Sequence, residues 1–362
     1  MPFFLRKDKI DVLFGRLKEK YKIIAPKLVD GVISYAHVST IDELPFGCRD
    51  HQAPGFYRVR EEDAGELFTY THPWNSPKGF LHPPELTLLK AKRKGSRLEI
   101  LYTMPDERYA LFDVRPCDLY ALRILDNVFL KKASQPDIYY ASLREGLFIV
   151  AVNCNYATGT CFCKYMGTGP EAKEGFDLCL TELRDGFFME VGSSEGNKLL
   201  EGLELEPALE EHLREKEERI RSVSELMKVG IEREGLSEKL YRVMEDPYWE
   251  EVGERCLACT NCTQVCPTCF CFDIVEKNSF ELGESQRVRI WDSCFNLSFA
   301  TVHRFNIRES IKSRYRQWLM HKFAYWTDQY DTYGCVGCGR CITWCPAGID
   351  IRREVKNLAS RA

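Results

Sequence analysis

Residues 256–267 read CLACTNCTQVCP and residues 335–346 read CVGCGRCITWCP, two runs of the form C-x-x-C-x-x-C-x-x-x-C-P. A cubane iron–sulfur cluster needs several thiolates converging on one small core, and a tight loop with three closely spaced cysteines supplies three corners at once. The fourth corner must come from farther along the chain. In two-cluster ferredoxins the last cysteine of each run ligates the other cluster. The expected sets are therefore Cys256, Cys259 and Cys262 with Cys345, and Cys335, Cys338 and Cys341 with Cys266. This spacing predicts two [4Fe–4S] clusters and a protein that moves electrons.

Zinc and disulfides are the competing uses of so many cysteines. Structural zinc takes four ligands, usually as two C-x-x-C pairs with a longer spacer, whereas each run here packs four cysteines into eleven residues. Disulfides belong to oxidising compartments, and the opening MPFFLRKDKI has no apolar signal core with a small-residue cleavage site, so the expected location is the cytoplasm. The 362 residues are 44% apolar, enough for two or three domains with real cores. The strongest apolar stretch, Leu147–Val152, is far short of the roughly 20 residues that span a bilayer, so no membrane segment is expected. A net charge of −4 favours neither nucleic acid nor an anionic membrane, which leaves other proteins as the expected partners.

The organisation reads as α+β in three parts. Residues 1–192 mix short apolar runs with Gly and Pro punctuation, an N-terminal α/β domain. Two of its segments share a layout: Ala110–Val114 runs into Arg115-Pro116-Cys117-Asp118, and Leu147–Val152 runs into Asn153-Cys154-Asn155, so that an apolar strand delivers a cysteine in each. Apolar residues at 119, 122, 125, 128 and 129 then predict a helix with Asp118 near its N-terminus. Residues 193–247 form a charged helical linker whose pairs Glu210/Arg214, Glu215/Arg219 and Glu217/Arg221 suit an exposed helix face. Residues 248–362 read as an α-helical ferredoxin-like dicluster domain, with helices expected between the two cysteine runs. There, Ile311, Tyr315, Trp318, Leu319 and Phe323 make one apolar stripe with basic residues opposite.

Nine of the 17 cysteines lie outside the two runs. A free cysteine is commonly just a small buried hydrophobe, and Cys48 and Cys179 carry no further signal. The group Cys117, Cys154, Cys161 and Cys163 is different, because ligands gather beyond the carboxyl ends of adjacent strands in α/β sheets, where a helix N-terminus also stabilises thiolate charge. Four thiolates there would hold a third [4Fe–4S] cluster. Cys161-Phe162-Cys163 recurs in form as Cys269-Phe270-Cys271, and Cys294 closes Trp291-Asp292-Ser293-Cys294. The segment Gly167-Thr168-Gly169-Pro170-Glu171-Ala172 has the form G-x-G-x-x-A but follows a cysteine loop instead of a strand, and reads as a turn. Basic residues Arg304, Arg308, Lys312, Arg314, Arg316 and Lys322 lie between two anionic centres whose charge needs local compensation, which accounts for them without nucleic acid.

Taken together, Arg115-Pro116-Cys117-Asp118, Cys161-Phe162-Cys163, the CPTCFC ending at Cys271, Trp291-Asp292-Ser293-Cys294 and the run 335–346 give a chain that resembles the sulfhydrogenase beta-subunit family, with the electron-relaying subunit of anaerobic sulfite reductase sharing the same set. The resemblance spans about residues 10 to 350. It implies an iron–sulfur subunit between a flavin subunit that exchanges hydride with NAD(P)H and a NiFe hydrogenase module, or sulfite reductase subunits in the alternative case. No catalytic residue is expected in this chain, because it offers one-electron sites without a pocket for splitting a hydride. The rivals are a self-contained reductase of thiol or sulfur substrates and a structural or nucleic-acid-binding iron–sulfur protein.

Overall fold

A computed structural model describes residues 2–62, 65–105, 107–279 and 283–362. Its largest element is an eight-stranded sheet in the order Glu206–Pro207, Phe3–Arg6, Gly186–Val191, Leu178–Glu182, Phe148–Val152, Tyr109–Val114, Lys22–Val29, Val32–His37. The four strands Lys22–Val29, Tyr109–Val114, Phe148–Val152 and Leu178–Glu182 run parallel, and antiparallel strands flank them. Strands of a parallel sheet covered on both faces read as continuous apolar runs, which is why ALFDV and FIVAV carry no polar alternation. Alternate residues point to opposite faces. Phe112, Val150 and Val152 pack under the helix Ile10–Lys18, while Leu111, Ile149 and Ala151 pack under the helices Pro116–Asp126 and Ile138–Glu145.

The sheet positions chemistry at its carboxyl edge. Tyr109–Val114 and Phe148–Val152 are direct neighbours, and their register slips between Phe112 and Val114. Asp113, at the slip, takes φ 60°, a left-handed conformation uncommon in a buried non-glycine residue. The extra residue turns the chain into Arg115 and the helix Pro116–Asp126, with Pro116 at its first position, where a missing N–H costs nothing.

Helices fill only part of the interval between the two cysteine runs. The apolar stripe forms the helix Ile311–Met320, which continues through His321–Tyr325 into Trp326–Tyr330 and buries Tyr315, Trp318, Leu319 and Phe323. Upstream of it stands a hairpin, Phe272–Asn278 with Glu284–Trp291. Glu284–Trp291 pairs in turn with Glu85–Lys94, so that these strands and Arg97–Tyr102 make a second, four-stranded sheet. Sheet pairing across nearly two hundred residues has no local sequence signal; the expectation of helices gives way there to a partner strand far along the chain.

The charged segment after residue 193 forms the helices Ser194–Leu200, Glu210–Leu226 and Leu236–Arg242. Glu210 and Arg214 pair at 2.7 Å on an exposed face, whereas Glu215 and Arg219, 3.4 Å apart, are half-buried, and Arg219 also pairs with Glu66. Its other face is buried: Lys216 pairs with Glu190 and Glu171, and Val223 and Met227 pack against Cys117, Cys161 and Cys163. Among the described residues no helix is long and apolar enough to cross a membrane.

Candidate metal centres

The first group of thiols follows the helix Tyr248–Arg255. Ala258 and Thr260 take positive φ, curling the loop so that Cys256, Cys259 and Cys262 face one cavity. Cys345 arrives from the second run and lines the same cavity, with Phe295, Tyr315, Trp318 and Ile349 as its apolar walls. Burial pushes the Cys262 thiol up, and the charges of Cys256, Cys259 and Cys345 push the same way, which reports their mutual closeness. Backbone N–H groups of Ala258 and Ile349 donate to Cys256 and Cys345 sulfur, each at 3.4 Å. Among the described residues, the buried Tyr315 hydroxyl and Trp318 Nε1 have no hydrogen-bond partner, although both side chains line this cavity. Orphaned donors in a thiol-lined wall suit an acceptor-rich inorganic sulfide core.

The second group gathers Cys335, Cys338, Cys341 and Cys266. Burial raises Cys335 to about 12 and Cys338 to about 11, and in both cases the Cys266 charge adds to the rise. Burial raises Cys341 too, with Cys335, Cys338 and Cys266 adding. The last cysteine of each run thus lies among the thiols of the other. Lys322, in the continuation His321–Tyr325 of the apolar-stripe helix, is buried, and its ammonium donates to Cys266 Sγ at 3.1 Å and to Cys269 Sγ at 3.4 Å. Thr268 Oγ1 lies 3.2 Å from Cys266 Sγ, and Gly337 N–H donates to Cys335 Sγ at 3.4 Å.

The third group stands at the sheet edge. Cys117, Cys154, Cys161 and Cys163 line one cavity with Arg115, Val223, Met227 and Cys338. Burial pushes Cys154 up to about 12, against the pull of the Arg115 guanidinium, with Cys161 adding to the rise. Cys163 is raised by burial and then by Cys154, Cys161 and Cys338. Arg115 Nε lies 3.0 Å from Asp113, yet its buried Nη1 has no hydrogen-bond partner among the described residues, a cation and donor left facing four thiols. Such a donor set fits an anionic cluster. Among the described residues no three His, Cys, Asp or Glu side chains converge on a point, as a single ion requires; the thiols stand around cavity walls instead.

The second and third groups are pressed together. Phe162 N–H donates to Gly337 O at 2.8 Å and Thr168 Oγ1 to Val336 O at 2.5 Å. A Cβ on Gly337 would meet the Phe162–Cys163 backbone at 2.7 Å, and one on Gly339 would collide with Thr160 O; both glycines have positive φ. Only glycine permits this approach. His72 Nε2 contacts Cys338 O at 2.6 Å, and Arg340 pairs with Asp118 and donates to Pro73 O and Asn75 O. His72 escaped the sequence reading because an isolated histidine carries no motif. Met227, whose Sδ lies 3.7 Å from Cys163 Sγ, was hidden inside the charged helical segment.

A family model described as a 4Fe-4S dicluster domain matches residues 255–349. Over 351 residues the chain is 31% identical to sulfhydrogenase 2 subunit beta of Pyrococcus furiosus, a match that covers 96% of this chain and 95% of that protein. No solved structure matches. With its thiol-lined cavities and its C-terminal dicluster domain, the chain belongs to the sulfhydrogenase beta-subunit family and is an iron–sulfur electron-transfer subunit.

Proposed function

We propose that the chain carries three [4Fe–4S] clusters in one relay: the first held by Cys256, Cys259, Cys262 and Cys345, the second by Cys335, Cys338, Cys341 and Cys266, the third by Cys117, Cys154, Cys161 and Cys163. Each cluster, when bound, supplies a one-electron store whose potential depends on charge, burial and hydrogen bonds to sulfur. What supports the relay above all is Cys338, a member of the second set that also lines the cavity of the third. Cys341 likewise lines the cavity of the first. The chain's own residues set the conditions: Lys322 offsets thiolate charge at Cys266, Arg115 does so at Cys154, and Val223, Met227, Tyr315 and Trp318 keep water from the sulfurs.

In this reading the chain divides into an α/β body over residues 1–192, which carries the third set, a helical segment 193–247, and a dicluster domain 248–362, which carries the first two. The partners are a flavin subunit that exchanges hydride with NAD(P)H and a NiFe hydrogenase module, as the resemblance implies. Cys259 and the neighbouring Leu257 are exposed, so electrons enter or leave at the first set. The test is reconstitution. The chain alone, purified without oxygen, is expected to be reduced and reoxidised reversibly while neither evolving hydrogen nor oxidising NAD(P)H, with turnover only when the flavin and hydrogenase partners are added. Substantial turnover by the single chain would instead favour a self-contained reductase.

A further inference from the structure

Between the Glu284–Trp291 strand and the helix Ile311–Met320 the chain puts out a short hairpin, Thr301–Val302 paired with Phe305–Asn306. Its apolar side chains are left in solvent: Phe305 is 79% exposed, Ile307 70%, Leu297 54% and Val302 50%. An isolated two-stranded hairpin is marginal in water, and exposed apolar groups gathered in one place mark an interaction surface.

The root of this hairpin is tied to the first thiol cavity. Phe295, a buried wall of that cavity, has its carbonyl held by Arg314 Nη1 at 2.7 Å, and Arg314 stands on the helix that supplies the walls Tyr315 and Trp318. Two residues farther on, Leu297 O accepts from Asn306 Nδ2 and from Thr301 Oγ1, and Ile307 N–H donates to Ala300 O at 3.0 Å. The same cavity is lined by Leu257 and Cys259, both exposed.

The tip carries a second observation. Val302 pairs with Phe305, so His303 and Arg304 form a two-residue turn, and both take positive φ, 48° and 72°. Such a turn prefers Asn-Gly, because a β-carbon is strained in the left-handed region. Here a histidine and an arginine occupy it, both exposed. Backbone strain of this kind gathers at functional sites. From Ser293 to Arg308 there is no Asp or Glu, so the charge the hairpin presents is positive.

We infer that this hairpin is a docking finger for a protein redox partner that has an apolar socket rimmed by carboxylates. Val302 and Phe305 enter the socket, and Arg304 meets the rim. Aromatic and arginine anchors carry much of the energy of an interface, and opposite charge speeds encounter. Rooted in Phe295, the finger brings the partner's electron carrier beside the first set. The inference rests on the reading of that set as a cluster that exchanges electrons with a partner.

The test uses the full holo-chain with its flavin and hydrogenase partners held below saturation, and reduced methyl viologen as a small donor that needs no docking. Phe305→Ser and Arg304→Glu are each expected to cut partner-dependent turnover by about tenfold or more, with iron content, cluster spectra and reduction by methyl viologen unchanged. Arg304→Lys should keep most of the rate, and added salt should slow the wild type more than Arg304→Glu. His303→Asn with Arg304→Gly should melt at a higher temperature than the wild type and still turn over more slowly with the partners. Equal turnover in wild type, Phe305→Ser and Arg304→Glu would overturn the finger while leaving the clusters in place. A wild-type dimer that Phe305→Ser converts to a monomer would overturn it in favour of a second copy of this chain. Wild-type clusters that take no electrons from methyl viologen would overturn the cluster reading and this inference with it.

Discussion

Asp118 and Arg340 form a bidentate ion pair, both arms 2.7 Å long and both side chains fully buried, between the first turn of the helix at the sheet edge and the second cysteine run. Arg340 also donates to Pro73 O through Nε and to Asn75 O through Nη2. The pair therefore fixes the distance between Cys117 and Cys338, one residue before Asp118 and two before Arg340. Removing one partner leaves an uncompensated buried charge, which typically costs about 3–5 kcal/mol, whereas replacing both by apolar side chains costs less. Asp118→Ala is expected to lower stability by roughly that amount in denaturant unfolding of the chain, and Asp118→Leu with Arg340→Met to lose clearly less.

Lys322 provides a test of electrostatics. Its ammonium 3.1 Å from Cys266 Sγ favours the more negative, reduced state of a cluster held there. Lys322→Met should keep the iron content and move the midpoint of the second cluster to more negative potential, by roughly 60 mV for each tenfold change in the one-electron equilibrium. Redox titration followed by electron paramagnetic resonance reads the shift; an unmoved or more positive midpoint would oppose the assignment.

The crossed assignment makes its own prediction. Cys345 lies with the first run and Cys266 with the second, as their influence on Cys262 and on Cys335 reports. Cys345→Ser should disturb the cluster of Cys256, Cys259 and Cys262, and Cys266→Ser that of Cys335, Cys338 and Cys341. Spectra in which each substitution alters only the cluster of its own run would refute the exchange.

Gly339 tests the contact between the second and third sites. With φ at 83° and Thr160 O standing where a Cβ would need room, Gly339→Ala is strained twice, by conformation and by collision with backbone. The left-handed conformation alone costs on the order of 1–3 kcal/mol. The variant should melt at lower temperature, and its third cluster should be lost more readily than its first on exposure to a chelator.

What the sequence made legible follows how local each signal is. The cysteine runs carry their meaning in spacing within eleven residues, and the strands before Cys117 and Cys154 in five-residue apolar blocks, so both could be read without coordinates. The helix Pro116–Asp126 and the stripe on Ile311–Met320 were legible through periodicity. Lys322 was legible only as one of six basic residues set to compensate the anionic centres; which of the six reaches a thiol was not, because that thiol, Cys266, lies 56 residues away. The hairpin Phe272–Asn278 with Glu284–Trp291 takes its place from a partner strand far upstream, Glu85–Lys94, and the pairing of Asp118 with Arg340 spans 222 residues. Such long-range relations leave no periodic trace.

The central claim is that the sheet-edge thiols hold a third cluster continuous with the other two. Iron per chain, measured on the full-length protein reconstituted without oxygen beside its Cys117→Ser variant, tests it most directly. The account predicts about 12 iron atoms for the wild type and about 8 for the variant, with the spectra of the two C-terminal clusters unchanged between them. About 8 iron atoms in both proteins would contradict it.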